Sequence, residues 1–581
     1  MIFSKFANYL DRLEETSSRL TLIELLSDLF KKIHKDEIDK VIYLMQGRVA
    51  PFYAPIEMGM AEKMVASSIA LAFNEEREHV LKENSKKGDL GLVAYEFRQK
   101  HHEKGKDLTI SEVFDRLMAV TQISGDGSVE KKTFQFSELL TQLDATAVKH
   151  LVRIALGKTR LGIGDPTVLD GLATAILGDK SNRKLLEKAY NETSDLGLIG
   201  KTLLSGGLEA VKKLTVTVGR PIRSELCERL PNPEKIFDKM GNAVHATQKW
   251  DGFRVQLHKN GDEIRMYSRN LEDMTHMFPE LIEGARKQIK AKTAILDSEA
   301  LAYQPESEEF LPFQETTKRR RKHNIAEVAK SLPLKAFVFD VLYANGKSLI
   351  DTPLLERRKI MQEIVEGTDI LIPSPGRILH KPEELQLMLD DSISKGLEGV
   401  VVKRPDSLYE AGGRNFNWVK LKRHSAGDLT DTIDTVILGY IYGRGKRTEF
   451  GAGALLVGVY DKKADEFVSV SKIGTGLTDE EWRSIKEKTH GLELSHKPAR
   501  VNSKIEPSVW VKPEIVIEVL ADEITRSPIH TAGMEIIDGA KGIGYALRFP
   551  RLVKFRDKDK KAEDATSVKE LIEMYESQGK Q

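Results

Sequence analysis

The sequence of 581 residues predicts a multidomain protein with an all-α N-terminal domain, a mixed α/β (α+β) central domain and a C-terminal β-barrel. The length is about four times that of a typical domain of roughly 150 residues. The apolar pattern changes from a helical period to strict alternation near residue 216, and short β-rich runs follow residue 431. We therefore place domains at 1–215, 216–425 and 426–581.

The N-terminal domain carries apolar residues at steps of three and four, which places them on one face of a helix. Thr21 and Glu24 form a capping-box signature and predict the start of one helix. Further helical stripes lie around 60–73, 110–121, 136–156 and 166–188. This domain is predicted to be entirely helical.

The central domain begins with a predicted β-hairpin. Apolar residues alternate from 253 to 257, Asn260 and Gly261 form a turn, and a second alternating run follows to Met266. Further strands are predicted at 294–303, 335–343, 399–403 and 418–422. Helices are predicted at 279–291 and 383–395. This alternation of strands and helices predicts a mixed α/β domain.

The C-terminal domain has short strand-like runs separated by turns that contain glycine. The runs are 433–441, 453–460, 467–471 and 514–520. Strands of this length and spacing are typical of a small barrel.

Composition narrows the functional class only slightly. Lys and Arg total 89 and Asp and Glu total 88, so the net charge of +1 excludes a uniformly basic protein and permits local basic patches. Cys227, the single cysteine, excludes an internal disulfide, and no Cys/His spacing indicates a structural zinc. No run approaches 18 apolar residues and the N-terminus lacks a signal core, so we expect a soluble cytoplasmic protein without a membrane partner.

Lys249 is the candidate nucleophile, in Lys249-Trp-Asp-Gly-Phe-Arg254 at the start of a predicted strand. A short motif of this kind is common, and a solvated loop lysine is the ordinary alternative. Other short motifs follow it in order: Ser268-Arg-Asn270, Asp297-Ser-Glu299, Phe339-Asp340, Glu398-Gly-Val-Val-Val-Lys403 and Trp418-Val-Lys-Leu-Lys422. This ordered series resembles the nucleotidyltransferase superfamily of DNA ligases, RNA ligases and messenger-RNA capping enzymes.

The resemblance extends into both flanking domains. Lys158-Thr-Arg-Leu-Gly-Ile-Gly164, Gln314 to Lys322 and Ala546-Leu-Arg-Phe-Pro-Arg551 are similar to replicative-type ATP-dependent DNA ligases of archaea and eukaryotes. The resemblance implies an enzyme that seals nicks in duplex DNA during replication, repair and recombination. It implies ATP as co-substrate, Mg²⁺ as cofactor, and a helical DNA-binding domain, an adenylation domain and an OB-fold. We expect a monomer.

Two rival interpretations stay open. An RNA ligase or capping-type nucleotidyltransferase would share the lysine chemistry but has no need of the helical domain. An inactive nucleic-acid-binding protein would tolerate the loss of Lys249, Glu398 or Lys420, yet all three are present.

In the reaction that the resemblance implies, deprotonated Lys249 attacks the α-phosphorus of ATP. Lys420 and Lys422, at i and i+2, share one strand face and can both reach phosphates. Arg254 and Arg269 are further candidate phosphate-binding cations. Arg414 matches a nucleotide-contacting arginine of the family.

Carboxylates and one aromatic ring complete the predicted site. Asp297 and Glu299 share a strand face and, with Glu398, offer the oxygen ligands that Mg²⁺ prefers. The resemblance assigns the ribose hydroxyls and metal to Glu299, the metal to Glu398, and adenine stacking to Phe339. From burial preference alone, Phe339 is more often plain core.

Two departures from the family pattern concern the nucleotide. Thr247 stands where many replicative ligases carry a glutamate that reads the adenine amino group, so we expect base selection through Thr247. Near the C-terminus, Arg556-Asp-Lys-Asp-Lys560 is one residue longer than the family element that orients pyrophosphate. The sequence does not decide which of its lysines acts.

The expected macromolecular partner is nicked duplex DNA. The basic run Lys318–Lys322 and the pair Lys158 and Arg160 are predicted phosphate contacts, although such residues are normally only solvated faces. A sliding clamp is a further hypothesis without a clean motif, because Arg98-Gln-Lys-His-His102 lacks paired aromatic residues.

Overall fold

The computed structural model describes residues 1–101, 105–304, 309–311, 313–321, 324–394, 397–422, 432–442, 451–474, 477–521, 523–527, 529–535, 542–548, 550–556 and 559–577. The chain divides into two compact units, Met1–Arg423 and His424–Gln581. No helix in the described ranges has the length and apolar character that a bilayer span requires.

The N-terminal region is helical, as predicted. Its helices are α1 (Phe3–Glu14), α2 (Arg19–Lys32), α3 (Ile38–Met45), α4 (Glu62–Phe73), α5 (Arg77–Lys87), α6 (Leu90–Lys100), α7 (Ile110–Gln122), α8 (Ser128–Thr141), α9 (Ala145–Ala155), α10 (Asp165–Leu177), α11 (Arg183–Thr193) and α12 (Leu196–Lys212). Their apolar faces pack into one core cluster that extends from Phe3 to Val211. Burial of these faces, rather than helix propensity, stabilises such short helices.

The predicted capping box at Thr21 is wrong. Helix α2 begins earlier, at Arg19, because the Ser18 side chain accepts a hydrogen bond from the Thr21 N–H. The Ser18 hydroxyl caps a free N–H group of the first turn, so the helix starts about one turn before the predicted cap residue Thr21. A capping box does occur at the start of α7, where Thr109 and Glu112 cap each other.

Two predicted helical stretches are each divided in two. The stretch 136–156 spans the end of α8 and all of α9, and the Asp144 side chain caps α9 by accepting from the Ala147 N–H. The stretch 166–188 covers α10 and part of α11, and α10 ends at Leu177, before Gly178, where φ is +89°. Apolar periodicity continues across such short breaks, so it did not reveal them.

The central region contains two mixed sheets and flanking helices. Its strands are β1 (Leu226–Arg229), β2 (Val244–Lys249), β3 (Phe253–Asn260), β4 (Glu263–Ser268), β5 (Thr293–Gln304), β6 (Glu309–Phe310), β7 (Leu334–Ala344), β8 (Lys347–Ser348), β9 (Leu371–Pro373), β10 (Gly376–Leu379), β11 (Gly399–Lys403) and β12 (Arg414–Lys422). Its helices are α13 (Pro233–Met240), α14 (Pro279–Gln288), α15 (Phe313–Thr316), α16 (Ile325–Ser331), α17 (Leu354–Ile364) and α18 (Pro382–Ser394).

The two central sheets have different strand orders. The first is β1-β12-β11-β2-β10, and the second is β4-β3-β5-β7-β8, with β6 beside β5 and β9 beside β7. The predicted hairpin is confirmed as β3 and β4, which turn at Gly261 with φ +60°. Apolar residues of the first sheet pack against α13 and α18.

The C-terminal unit is rich in β-structure. Its strands are β13 (Ile433–Ile441), β14 (Ala454–Asp461), β15 (Glu466–Ile473), β16 (Glu493–Leu494), β17 (Val501–Asn502), β18 (Val509–Val511), β19 (Val516–Leu520), β20 (Glu523–Ser527), β21 (Ala532–Glu535), β22 (Ile543–Arg548) and β23 (Arg551–Phe555), with α19 (Asp479–Thr489) and α20 (Val568–Ser577). In the described residues the larger sheet forms a half-barrel in the order β16-β18-β13-β14-β15-β17, and β19 pairs with β13 and β23. The smaller sheet is β20-β22-β21.

Candidate functional site

A cavity of about 480 Å³ is lined by residues of both central sheets. Its lining includes ten of the eleven residues that the sequence predicted for the site, all except Asp297: Thr247, Lys249, Arg254, Arg269, Glu299, Phe339, Glu398, Arg414, Lys420 and Lys422. The fold therefore brings together side chains that are spread over more than 170 positions of the chain.

The first sheet supplies one wall of the cavity through its strand register. Lys249 of β2 lies opposite Gly399 of β11, and Gly399 lies opposite Lys422 of β12. Two residues further along the strands, Thr247 lies opposite Val401, and Val401 lies opposite Lys420, which gives a second row across the sheet. Because side chains alternate between the two faces of a strand, these rows share the cavity face. The intervening residues, including Val400, Val402 and Val419, face the core beside α13 and α18.

Glu398 lies where the three strands converge. Its Oε2 is 2.5 Å from the Nζ of Lys249 and 2.6 Å from the Nζ of Lys422. Gly399 has a φ of +142°, and a Cβ there would lie 2.2 Å from the carbonyl oxygen of Leu421. Only glycine permits this backbone position, so Gly399 holds Glu398 between the two lysines.

The charges around Glu398 determine its ionisation. Burial acts to raise the pKa of Glu398, but the charge of Lys249 and hydrogen bonds from Lys249, Lys422 and Asp251 outweigh burial and lower it to about 2. Burial and the hydrogen bond with Glu398 raise the pKa of Asp251, which also accepts from the Phe313 N–H at 3.2 Å. Glu398 is therefore an anion at neutral pH.

The second sheet contributes Glu299 on β5. Burial raises the pKa of Glu299 to about 7, although the charges of Lys249 and Arg254 act to lower it. A carboxyl group with this pKa binds and releases a proton near neutral pH, and a cation bound nearby would stabilise its ionised form.

Asp297 does not serve as the metal-facing carboxylate that strand alternation predicted. Its side chain is fully buried and does not line the cavity. Arg254 donates from Nε to Asp297 Oδ1 at 2.9 Å, and Tyr409 donates to Asp297 Oδ2 at 3.0 Å. The neighbouring strand β3 supplies this arginine, so Asp297 acts as the counter-ion of Arg254.

Phe339 is half-buried at the cavity, beside two residues to which the sequence assigned no role. Its ring meets that of Trp418 edge to face at 6.1 Å, and Lys403 Nζ lies 4.9 Å from its centre. Lys403 Nζ is also 3.7 Å from Asp340 Oδ2, and burial lowers the pKa of Lys403 to about 8. The position of Lys403, two residues after Val401 on β11, was the signal that it would share the cavity face.

The remaining cavity cations differ in exposure. Arg269 and Arg414 are exposed, whereas Lys420 is half-buried. Burial and the neighbouring charges of Lys422 and Lys249 lower the pKa of Lys420, although the neighbouring thiol of Cys227 acts to raise it. This wall therefore carries closely spaced positive charges suited to a polyphosphate.

Several basic residues predicted to face DNA instead have internal partners. Arg319 is buried, forms an ion pair with Glu280 and lies over the ring of Phe278, so it is not accessible to the DNA phosphate that the sequence predicted as its partner. Arg160 lies 3.4 Å from the buried carboxylate of Asp89. Lys158, paired weakly with Glu62 at 4.0 Å, remains exposed, and Lys322 lies outside the described residues.

The C-terminal basic element is only partly described. Arg556 contacts Glu518 at 3.0 Å and Asp559 at 2.7 Å, and Lys560 pairs with Asp434. The intervening positions 557 and 558 lie outside the described residues.

The segment considered for a sliding clamp is the end of α6. Arg98 is buried and donates to the carbonyl of Leu143 at 2.7 Å, and His102 lies outside the described residues. Arg98 therefore has a structural contact within the helical region.

Comparison with known families matches all three parts of the chain. Family models described as "DNA ligase N terminus", "ATP dependent DNA ligase domain" and "ATP dependent DNA ligase C terminal region" match residues 2–173, 224–422 and 448–560. A protein named "Probable DNA ligase" from Dictyoglomus turgidum is 47% identical over 581 residues, covering 100% of this chain and 98% of its own. This chain belongs to the ATP-dependent DNA ligase family.

Other members of the ligase family align over the same length. A "DNA ligase" of Sulfolobus acidocaldarius is 38% identical over 590 residues, covering 99% of this ligase chain and 98% of its own. A solved structure named "Pmar-Lig_PreS3" shares the fold, with a TM-score of 0.53, 14% identity, and coverage of 95% of this chain and 99% of the other.

Proposed function

We propose that this DNA ligase seals nicks through a covalent intermediate on Lys249, and that the cavity binds ATP. The observation that carries the proposal is the convergence of Lys249, Glu398 and Lys422 where β2, β11 and β12 meet. This arrangement holds an amine nucleophile beside phosphate-binding cations inside one cavity.

In the first step, the deprotonated Nζ of Lys249 attacks the α-phosphorus of ATP. A phosphorus–nitrogen bond forms and the amine loses a proton, while the bond from the α-phosphorus to the bridging oxygen breaks and pyrophosphate leaves. Lys420 and Lys422 stabilise the charge on the phosphate oxygens, and the exposed Arg269 and Arg414 add positive charge at the cavity. Glu398, an anion 2.5 Å from Lys249 Nζ, orients the amine.

In the second step, an oxygen of the DNA 5′-phosphate attacks the α-phosphorus of the lysine-bound AMP. The phosphorus–nitrogen bond breaks as the nitrogen takes up a proton, so Lys249 is released as an amine and a DNA–adenylate forms. In the third step, the 3′-hydroxyl at the nick attacks the 5′-phosphate and AMP leaves with its electron pair. The hydroxyl proton is lost, and the strand is continuous.

Glu299 and Glu398 are the proposed Mg²⁺ ligands, and their chemistry fits this ion. Both carboxylates line the same cavity, and carboxylate oxygens are preferred Mg²⁺ ligands. The raised pKa of Glu299, caused mainly by burial, indicates a carboxylate that a nearby cation would stabilise. When bound, Mg²⁺ supplies neutralisation of charge on the transferring phosphate.

Adenine recognition is assigned to Phe339 and Thr247. Phe339 presents a half-buried ring to the cavity, which suits stacking of a base. Thr247 is buried, and its hydroxyl lies 3.5 Å from the carbonyl oxygen of Val401. A hydroxyl with such a long internal contact can turn towards a nucleobase.

The three segments of the chain receive separate roles in this proposal. Residues 1–215 bind the DNA duplex, 216–425 carry out adenylation, and 426–581 form an OB-fold. The half-barrel sheet of the last segment supports the OB-fold assignment. The exposed Lys158 supports DNA binding by the helical segment.

Transfer of labelled AMP tests the proposal directly. The wild-type protein and Lys249→Ala are incubated with α-labelled ATP and Mg²⁺, and protein-bound label is measured. Wild type takes up label and the variant does not, whereas equal labelling would show that another residue is the nucleophile. Release of label onto nicked DNA, with no release onto nicked RNA, then distinguishes a DNA ligase from an RNA ligase.

A further inference from the structure

The guanidinium of Arg254 is held by three groups behind the cavity wall. Its Nε donates to Asp297 Oδ1 at 2.9 Å, and its Nη1 donates to the carbonyl of Glu225 at 2.8 Å. Its Nη2 donates to the hydroxyl of Tyr409 at 3.3 Å. Arg254 also lines the cavity, so these contacts fix a side chain that a bound nucleotide would meet.

The hydroxyl of Tyr409 uses its complete hydrogen-bonding capacity in this cluster. It accepts from the Glu225 N–H at 3.1 Å and from Arg254 Nη2, and it donates to Asp297 Oδ2 at 3.0 Å. A tyrosine hydroxyl has one donor and two acceptor positions, so its orientation is determined. Burial raises the pKa of Tyr409, so the hydroxyl keeps its proton at neutral pH.

Tyr409 and its hydrogen-bond partner Glu225 lie on two chain segments that are bonded to each other and to the helical region. The N–H of Arg223 donates to the carbonyl of Asn191 on α11 at 2.8 Å, and the Arg223 side chain contacts Asp165 at 2.8 Å. The N–H of Gly412 donates to the carbonyl of Arg223 at 2.9 Å. The segments that carry Glu225 and Tyr409 are therefore tied to each other and to the helical region.

We propose that Tyr409 is a positioning residue, which aligns Arg254 for ATP binding by holding both its guanidinium and its counter-ion Asp297. The proposal rests on the function proposed above. It assigns a role to a loop residue between β11 and β12 that no motif identifies.

Tyr409→Phe tests this role because it removes the hydroxyl and keeps the ring. We expect the KM for ATP in Lys249 adenylation to rise about tenfold, because a hydrogen bond to a charged group is lost. The kcat should stay within about twofold of wild type, since Lys249 and Glu398 do not contact Tyr409. The matched control is Tyr267→Phe, which removes a buried hydroxyl that donates to the carbonyl of Gly219 at 2.9 Å.

A double-variant cycle separates positioning from general loss of structure. If Tyr409 acts through Arg254, Tyr409→Phe raises the KM by less than about twofold in an Arg254→Met background. A KM unchanged in Tyr409→Phe, an equal rise in both backgrounds, or the same rise in Tyr267→Phe would overturn the role. Failure of wild type to label Lys249 would instead overturn the proposed function, so the two failures are distinguishable.

Discussion

The cavity wall and the protein interior beside it balance their charges in different ways. On the wall, Lys249 and Lys422 both contact the carboxylate of Glu398 and remain partly exposed. In the interior, Arg357 pairs with Asp340 at 2.8 Å, and both side chains are fully buried. The wall cations therefore remain accessible to a ligand, whereas Arg357 and Asp340 are enclosed, with Lys403 3.7 Å from the same carboxylate.

This difference separates binding from scaffolding. Positive charge that is left over in a partly open cavity is available to an anionic ligand such as a polyphosphate. A fully buried pair offers no charge to a ligand, and removal of Arg357 takes the closest cation away from the buried carboxylate of Asp340. Similar residue types in one domain thus serve two purposes, which the following variants should separate.

Removal of an interior charge should have the largest effect, on stability. Arg357→Ala leaves Asp340 buried, so we expect the free energy of unfolding to fall by about 3–5 kcal/mol. Denaturant unfolding measures this change. The control is Arg265→Ala, since Arg265 forms an exposed pair with Glu263 at 2.8 Å and should contribute far less. Equal losses in the two variants would contradict the distinction between wall and interior.

Neutralising the wall carboxylate should affect catalysis more than stability. Glu398→Gln keeps the shape of the side chain but loses the charge that orients Lys249, so adenylation should slow about 10²–10³-fold. Single-turnover transfer of labelled AMP measures the rate. Glu383→Gln removes an exposed carboxylate on α18 and should leave the rate unchanged. A fast Glu398→Gln enzyme would exclude the proposed role.

Glu299 should link stability to pH. Its folded pKa of about 7 lies above the ordinary value of 4.5, so its favourable contribution is complete below pH 4.5 and is lost as the pH rises through 7. Glu299→Gln should therefore flatten the pH dependence and stabilise the protein at pH 8 by at most about 3 kcal/mol. Unfolding of both proteins from pH 4.5 to 8 measures this. A difference independent of pH would refute the assignment.

The smallest effect should come from an exposed cation outside the cavity. Lys318 is exposed and pairs only with nearby Glu315 among the described residues, so Lys318→Ala should weaken binding of nicked DNA a few-fold. The slope of log affinity against log salt should fall by about one. Its neighbour Arg319 is buried against Glu280, so Arg319→Ala should reduce stability instead. Identical effects of the two substitutions would contradict this contrast.

The sequence by itself determined the helical character of the N-terminal region, several of the longer elements and ten of the residues that line the cavity. The hairpin β3–β4 followed from alternation and a glycine turn, and the spacing of Lys420 and Lys422 placed both on one strand face. These predictions succeeded because strand geometry depends on neighbouring residues. The sequence pattern did not reveal the helix breaks near Asp144 and Gly178, because the apolar spacing continues across them.

Only the tertiary structure decided which charged residues face a ligand and which are internally paired. Asp297 and Glu299 share a local pattern, yet Arg254 of an adjacent strand engages Asp297. Arg319 belongs to a basic run, yet Glu280 holds it in the interior. The partner in each case lies about 40 positions away along the chain, and local sequence does not encode which distant side chain folding brings into contact.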